Sequence, residues 1–167
     1  MSLEWRDLPA LRGRFHPGYP DDVQVLVHDG GPRFTDRRAE LVWVRIVTAA
    51  PGVFTGEVLN EPSQLTSVHR GDRIQFVVPQ SGEHPIMVRE KYLVERAAWI
   101  VHPCSGCGLS ELFDAPSDLI PKIFPKIQPG ETVEAFTAFC GACHGVQVVE
   151  SGSSNETIDA AGTKSKR

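Results

Sequence analysis

The sequence predicts an α+β fold that is mainly β: a small antiparallel sheet or barrel, followed by a short cysteine-bearing module. Three observations carry this. Short β-branched runs of alternating polarity recur through the first half of the chain. Turns rich in glycine and proline separate them, and the 167 residues include 15 Gly and 13 Pro. All four cysteines then fall in two C-x-x-C pairs in the last part of the chain. The length suits one domain, or a domain plus a small module. The composition divides it into a β-rich part at residues 1–100, a cysteine module at 101–150 and a disordered tail at 151–167.

Residues 1–20 read as irregular, punctuated by Pro9, Pro17, Gly18 and Pro20. Val23–His28 alternates and is β-branched, so it is a strand, and Asp29-Gly30-Gly31-Pro32 turns the chain. Glu40–Thr48, Val53–Asn60 and Arg73–Val78 are three further strands, with turns at Pro51-Gly52 and Gly71-Asp72. Met87–Ala98 suits a short helix, and Trp99–His102 an extended piece that leads into the cysteines. Ser117–Phe124 is a short helix limited by the prolines around it. Thr132–Phe139 and Val146–Glu150 are two strands flanking Cys140–His144.

Apolar content of 41% and charged content of 23% are ordinary for a globular chain. No run approaches the roughly 18 apolar residues of a membrane span. The first fifteen residues carry charge throughout and form no apolar signal core, so a cytoplasmic location with reduced thiols is expected. The net charge of −4 gives no general attraction to nucleic acid or acidic lipid.

The pairs are Cys104-Ser-Gly-Cys107 and Cys140-Gly-Ala-Cys143, with 32 residues between them. A tight C-x-x-C turn presents two sulfurs to one ion, and two such turns complete a tetrahedron of thiolates. The separation exceeds the usual ~15–20 residues, but an insertion is harmless if the two turns meet in space. Gly108 and Gly145 close the turns and are expected to take the positive φ that aims backbone amides at sulfur. Four thiolates close a zinc shell, so the expected metal is a structural Zn2+ on Cys104, Cys107, Cys140 and Cys143. His102 and His144 lie beside the pairs and are the alternative ligands if a cysteine is replaced.

Two other chemistries use the same residues. Cys140-Gly-Ala-Cys143-His144 has the form of a covalent haem attachment site. Haem leaves Cys104 and Cys107 unexplained, and the only methionines, Met1 and Met87, offer little as a second axial ligand. A redox dithiol wants its C-x-x-C at a helix start, whereas a strand follows Cys143. With "CSGCG" as first knuckle and "CGACHG" as second, the segment resembles a zinc ribbon over about 45 residues.

In the first half, Trp43, Val44, Gly56, Leu59, Asn60, Pro62, Gly71, Asp72 and Phe76 follow a recognisable order: a Trp-Val strand, a strand ending Leu-Asn-x-Pro, and a Gly-Asp turn into a further strand. In this the segment is similar to an uncharacterised bacterial family, the domain of unknown function two-three-one-four. That resemblance implies a small β-rich fold and no established activity. The chain departs from it at Arg96–Cys104, which leads into the cysteines instead of an Asp-Trp ending.

These residues favour a non-enzymatic zinc protein used for protein interaction or assembly, its partner and oligomeric state open. A nucleic-acid-binding ribbon is disfavoured, because residues 101–150 set two lysines against six carboxylates. Arg33, Arg37 and Arg38 read as a solvated loop. An enzyme is the other alternative. His28-Asp29 could form half of a dyad, but no nucleophile motif accompanies it. His28, His69 and His84 read as surface or turn histidines, and Asn60 and Glu61 as turn formers.

Overall fold

The structure is a computed structural model and describes residues 4–79 and 84–152. It is mainly β, as the alternation predicts, and divides into two compact units. The first draws on Met1–Asp29 and Phe34–Arg89, the second on Gly30–Arg33 and the chain from Glu90 onward.

The first unit is a meander of strands. A one-turn helix α1 (Glu4–Asp7) and a two-residue strand β1 (Phe15–His16) precede β2 (Tyr19–Val27), β3 (Glu40–Ala50), β4 (Val53–Val58), β5 (Arg73–Val77) and β6 (Ile86–Val88). Two expectations are corrected here. Residues 4–20 are irregular only in part: α1 and β1 interrupt the turns, and Trp5 Nε1 and Arg6 both bond Asp21 and pin α1 to β2. Met87 and Val88 are strand rather than helix, because both side chains are buried in the core. Each strand pairs antiparallel with the next. Five up-and-down strands bring the first and last into the same direction, so β2 meets β6 in parallel, at Leu26 and Ile86. That bridge closes the barrel, with Leu26 N–H donating to Pro85 O at 2.8 Å.

Period-two patterning fills the barrel. Val23, Val25 and Val27 from β2 meet Val42, Val44 and Ile46 from β3 inside it. Phe54 stacks on its cross-strand partner Phe76, ring centroids 5.3 Å apart. His28 departs from the surface reading, being fully buried just past β2. Its Nε2–H donates to Met87 O at 2.9 Å, and Arg89 donates to the His28 carbonyl at 2.9 Å, extending the closure beyond the strand ends. Burial, helped by the Arg89 charge, pushes the imidazole pKa down to about 3, so it is neutral. The carbonyl partner only accepts, which fixes the proton on Nε2.

The loop between β4 and β5 has no regular structure, yet carboxylates hold it along its length. Glu40 accepts from the amides of Ser63 and Gln64. Burial works against the Asp29 charge, but the Ser67 hydroxyl, the Thr66 amide, Arg37 and the Ser67 amide all donate to it and hold its carboxyl far below the usual range. Glu61 accepts from His69 and the Arg70 amide, and Asn60 Oδ1 accepts from Trp43 N–H. Asn60 and Glu61 are thus loop formers, as their turn chemistry predicts.

The second unit holds α2 (Glu90–Glu95), a 3-10 turn (Arg96–Ala98), β7 (Trp99–Val101), α3 (Pro116–Ile123), β8 (Ala135–Phe139) and β9 (Val146–Ser151). The three strands form an antiparallel sheet in the order β7-β9-β8. Pro116 begins α3, where a missing N–H costs nothing. Tyr92, Leu109, Leu112, Phe113, Leu119, Phe136 and Val149 are buried in this unit. Tyr92 OH donates to the buried Glu111 carboxylate and accepts from Leu112 N–H at 3.0 Å, so α2 anchors the loop ahead of α3. Of the tail expected at 151–167, Ser151 closes β9, and residues 153–167 lie outside the described residues. Among the described residues no helix is long and apolar enough to cross a membrane.

Candidate metal centre

Each cysteine pair is a tight backbone turn, and the two turns have the same wiring. In the first, Cys104 N–H donates to Leu109 O at 2.9 Å and Gly108 N–H donates to Cys104 O at 2.9 Å. In the second, Cys140 N–H donates to Gly145 O at 2.7 Å and His144 N–H donates to Cys140 O at 2.8 Å. In each, the amide two residues on points at the first sulfur: Gly106 N–H to Cys104 Sγ at 3.2 Å and Ala142 N–H to Cys140 Sγ at 3.3 Å. Gly145 N–H adds a bond to Cys143 Sγ at 3.3 Å. Amides aimed at sulfur favour the thiolate form that a metal needs.

The fifth residue of each turn is left-handed. In the first it is Gly108, φ 83°, as expected. In the second it is His144, φ 68°, and not Gly145. His144 is the only positive-φ residue among the described non-glycine positions. Gly145 is needed for a different reason. A Cβ there would stand 2.8 Å from Cys104 Sγ and 3.0 Å from the Gly106 nitrogen. The turns pack too closely for a side chain between them. Gly141 is closed in the same way, by the ring of Phe113 at 2.1 Å.

The sheet brings the turns together. β7 leads into the first and the β8–β9 connection is the second, so pairing of β7 with β9 sets them side by side. The contact continues past β7: His102 N–H donates to Val148 O and Ser105 N–H to Val146 O, both at 2.9 Å. The sulfurs of Cys104, Cys107, Cys140 and Cys143 consequently lie within 4.8 Å of one another. Cys104 and Cys143 approach to 3.4 Å and Cys107 and Cys140 to 3.7 Å, one contact from each pair to the other. A tetrahedron of thiolates around zinc has edges of about 3.8 Å, given bonds of about 2.3 Å. The cluster therefore has the size and donor set for such an ion, and four cysteines placed this way could hold a metal.

The thiols differ in exposure and in acidity. Cys104 and Cys140 are buried, Cys107 and Cys143 exposed. Burial pushes the Cys140 thiol well up and raises Cys107 as well. Burial also opposes ionisation of Cys104, but the amides of Cys107 and Gly106 outweigh it and bring that thiol down to about 7. The arrangement includes neither neighbouring histidine. His102 Nε2 instead meets Glu150 Oε2 at 2.5 Å.

One contributor escapes the sequence reading. Gln147 is buried on β9, and its Nε2 donates to Leu109 O at 3.0 Å and Glu111 O at 2.9 Å. It fastens the loop after the first turn to the strand after the second. The available signal is an inversion in Val-Gln-Val-Val: Gln147 points inward and Val146 and Val148 outward. As for His28-Asp29, the imidazole serves the Met87 carbonyl and the carboxylate holds Thr66 and Ser67. Arg37 is committed to Asp29. Comparison with known proteins finds no matching family model, no matching curated protein and no matching solved structure.

Proposed function

We propose that the second unit is a zinc-ribbon-like module in which Cys104, Cys107, Cys140 and Cys143 hold one structural Zn2+, and that the protein works as a non-enzymatic interaction or assembly component. The observation that carries the metal reading is the four-sulfur cluster within 4.8 Å, built from two identically wired turns. Four thiolates leave zinc no open position, so the ion would organise structure and not activate water. It would tie the β7 end to the β8–β9 connection, in a unit whose own core is small. For the first unit we retain the similarity to the uncharacterised bacterial domain, which implies a β-rich scaffold and no activity.

The test is metal analysis and an absorption spectrum on protein purified without added metal. One zinc per chain and no Soret band is the expected result. A Soret band, or no metal with four freely reactive thiols, overturns the reading.

A further inference from the structure

The three-stranded sheet buries one face and leaves an apolar face in solvent. Phe136, Ala138, Gln147 and Val149 point inward. The opposite face carries Phe139, Val146, Val148 and Ile100, which are 50%, 43%, 42% and 37% exposed. Register makes Phe139, Val146 and Val148 neighbours, with Phe139 opposite Val146 and Thr137 opposite Val148, while Ile100 stands opposite Glu150. Arg33 lies 5.3 Å from the centre of the Phe139 ring and still leaves half of that side chain open. Contiguous exposed apolar surface of this kind marks an interaction site.

Among the described residues, the strand bordering this face is an open edge, since β8 has β9 as its one partner there. Two bonds fix the direction of its backbone groups. Ser151 N–H donates to Glu134 O and Cys140 N–H to Gly145 O, each at 2.7 Å. Antiparallel ladders alternate. Phe136 and Ala138 therefore spend their amides and carbonyls on β9, while Ala135, Thr137 and Phe139 turn theirs away. The side chains of those same three residues are exposed. Edges are usually guarded by lysine, proline or a bulge, and β8 has none of these.

We propose that β8 pairs antiparallel with β8 of a second copy of this chain, about a two-fold axis through Thr137. Its sequence, Ala-Phe-Thr-Ala-Phe, is self-complementary in that register. Thr137 faces its own copy, Phe139 faces the partner's Ala135, and Phe136 faces the partner's Ala138. Each large ring meets a small residue on both faces of the sheet. The outward groups are in register too. The Thr137 pair and the two Ala135–Phe139 pairs are all of the bonded kind, each exchanging two hydrogen bonds. The two sheets become one, and their exposed apolar faces join across the axis. An unrelated strand would satisfy the edge but would not place alanine against phenylalanine at both ends. Five residues a side fall short of the roughly 800 Å² per partner of a stable interface, so association is weak and concentration-dependent. This inference supplies a partner for the assembly role proposed above and rests on that reading, but it does not rest on the metal.

The experiment is sedimentation velocity on the full chain from about 1 µM to about 1 mM, a range that brackets weak self-association, with zinc content measured on the same sample. The expected result is a monomer–dimer equilibrium in that range. Thr137→Lys, which sets like charges opposite each other at the axis, weakens it on the order of tenfold or more. Thr137→Pro removes an N–H that points away from β9 and weakens it likewise. If both variants misfold, amide exchange of the unaltered chain decides: Ala135, Thr137 and Phe139 slow as concentration rises. A zinc-loaded chain that stays monomeric at every concentration overturns the dimer while leaving the metal reading intact. So does a dimer indifferent to both variants, or unchanged exchange at the three amides. A dimer without zinc supports the pairing and refutes the metal.

Discussion

Substituting Gly145→Ala tests the metal centre at its tightest point. The added Cβ would lie 2.8 Å from Cys104 Sγ, 3.0 Å from the Gly106 nitrogen and 3.2 Å from Cys143 Sγ. One of those neighbours is backbone and two are proposed ligands, so no flexible side chain can give way. Relief requires one turn to retreat from the other by several tenths of an ångström, whereas ligand distances tolerate about 0.2 Å. Overpacking of this kind costs about 1–3 kcal/mol, which converts to a loss of about five- to 150-fold in zinc affinity. Competition with a chromophoric chelator measures it. Gly108→Ala is the control, because its Cβ would meet nothing within 4 Å while its φ of 83° still strains the backbone. That strain costs about 1–2 kcal/mol of folding. The reasoning is refuted if Gly145→Ala binds zinc as tightly as the unaltered chain.

Other consequences are equally direct. Cys140→Ser removes the most deeply buried sulfur; amide exchange should show the second unit losing protection while the barrel amides keep theirs. An intact second unit would count against a structural ion. Gln147→Leu takes the buried side-chain donor from the Glu111 carbonyl and leaves the Leu109 carbonyl with Cys104 N–H alone; a loss of about 1–3 kcal/mol in denaturant unfolding of that unit is expected, and an unchanged midpoint contradicts it. His69 meets Glu61 through Nδ1 and the Thr66 carbonyl through Nε2, two acceptors that only the imidazolium satisfies, and Glu61 raises its pKa. A raised folded pKa means the contribution is fully present below the unfolded value near 6.5 and lost as pH rises through the folded one. NMR titration should give His69 a midpoint above 6.5, with loop protection falling above it; a midpoint at or below 6.5 rejects the clasp.

Much of the architecture could be read from the chain because burial and periodicity agree there. Val23–Val27 and Val42–Ile46 alternate cleanly, and each lines the barrel with the residues its pattern nominates. The two C-x-x-C pairs likewise meet despite a long insertion, since β7 and β9 are adjacent in the sheet. The failures have physical causes. Met87 sits in a helix-compatible run, but closing the barrel requires a last strand, and tertiary packing overrides local propensity. His28 looks like a turn residue until the parallel closure of β2 on β6, a long-range feature, buries it. The positive φ expected at Gly145 falls to His144, because the glycine is needed for the approach of two sulfurs, which a single segment does not reveal. In β9 Val149 faces inward as a half-buried strand requires, but Val146 and Val148 face outward and the glutamine between them inward. Gln147 is drawn inside by two carbonyls of the insertion, and that leaves Val146 and Val148 available to a partner.

X-ray absorption at the zinc edge on the purified protein distinguishes a four-thiolate site from every other donor set. Four sulfur scatterers at about 2.3 Å and no imidazole signature are the expected result. An imidazole shell, from His102 or His144 in place of a cysteine, or a first shell with oxygen and an open position, would contradict it.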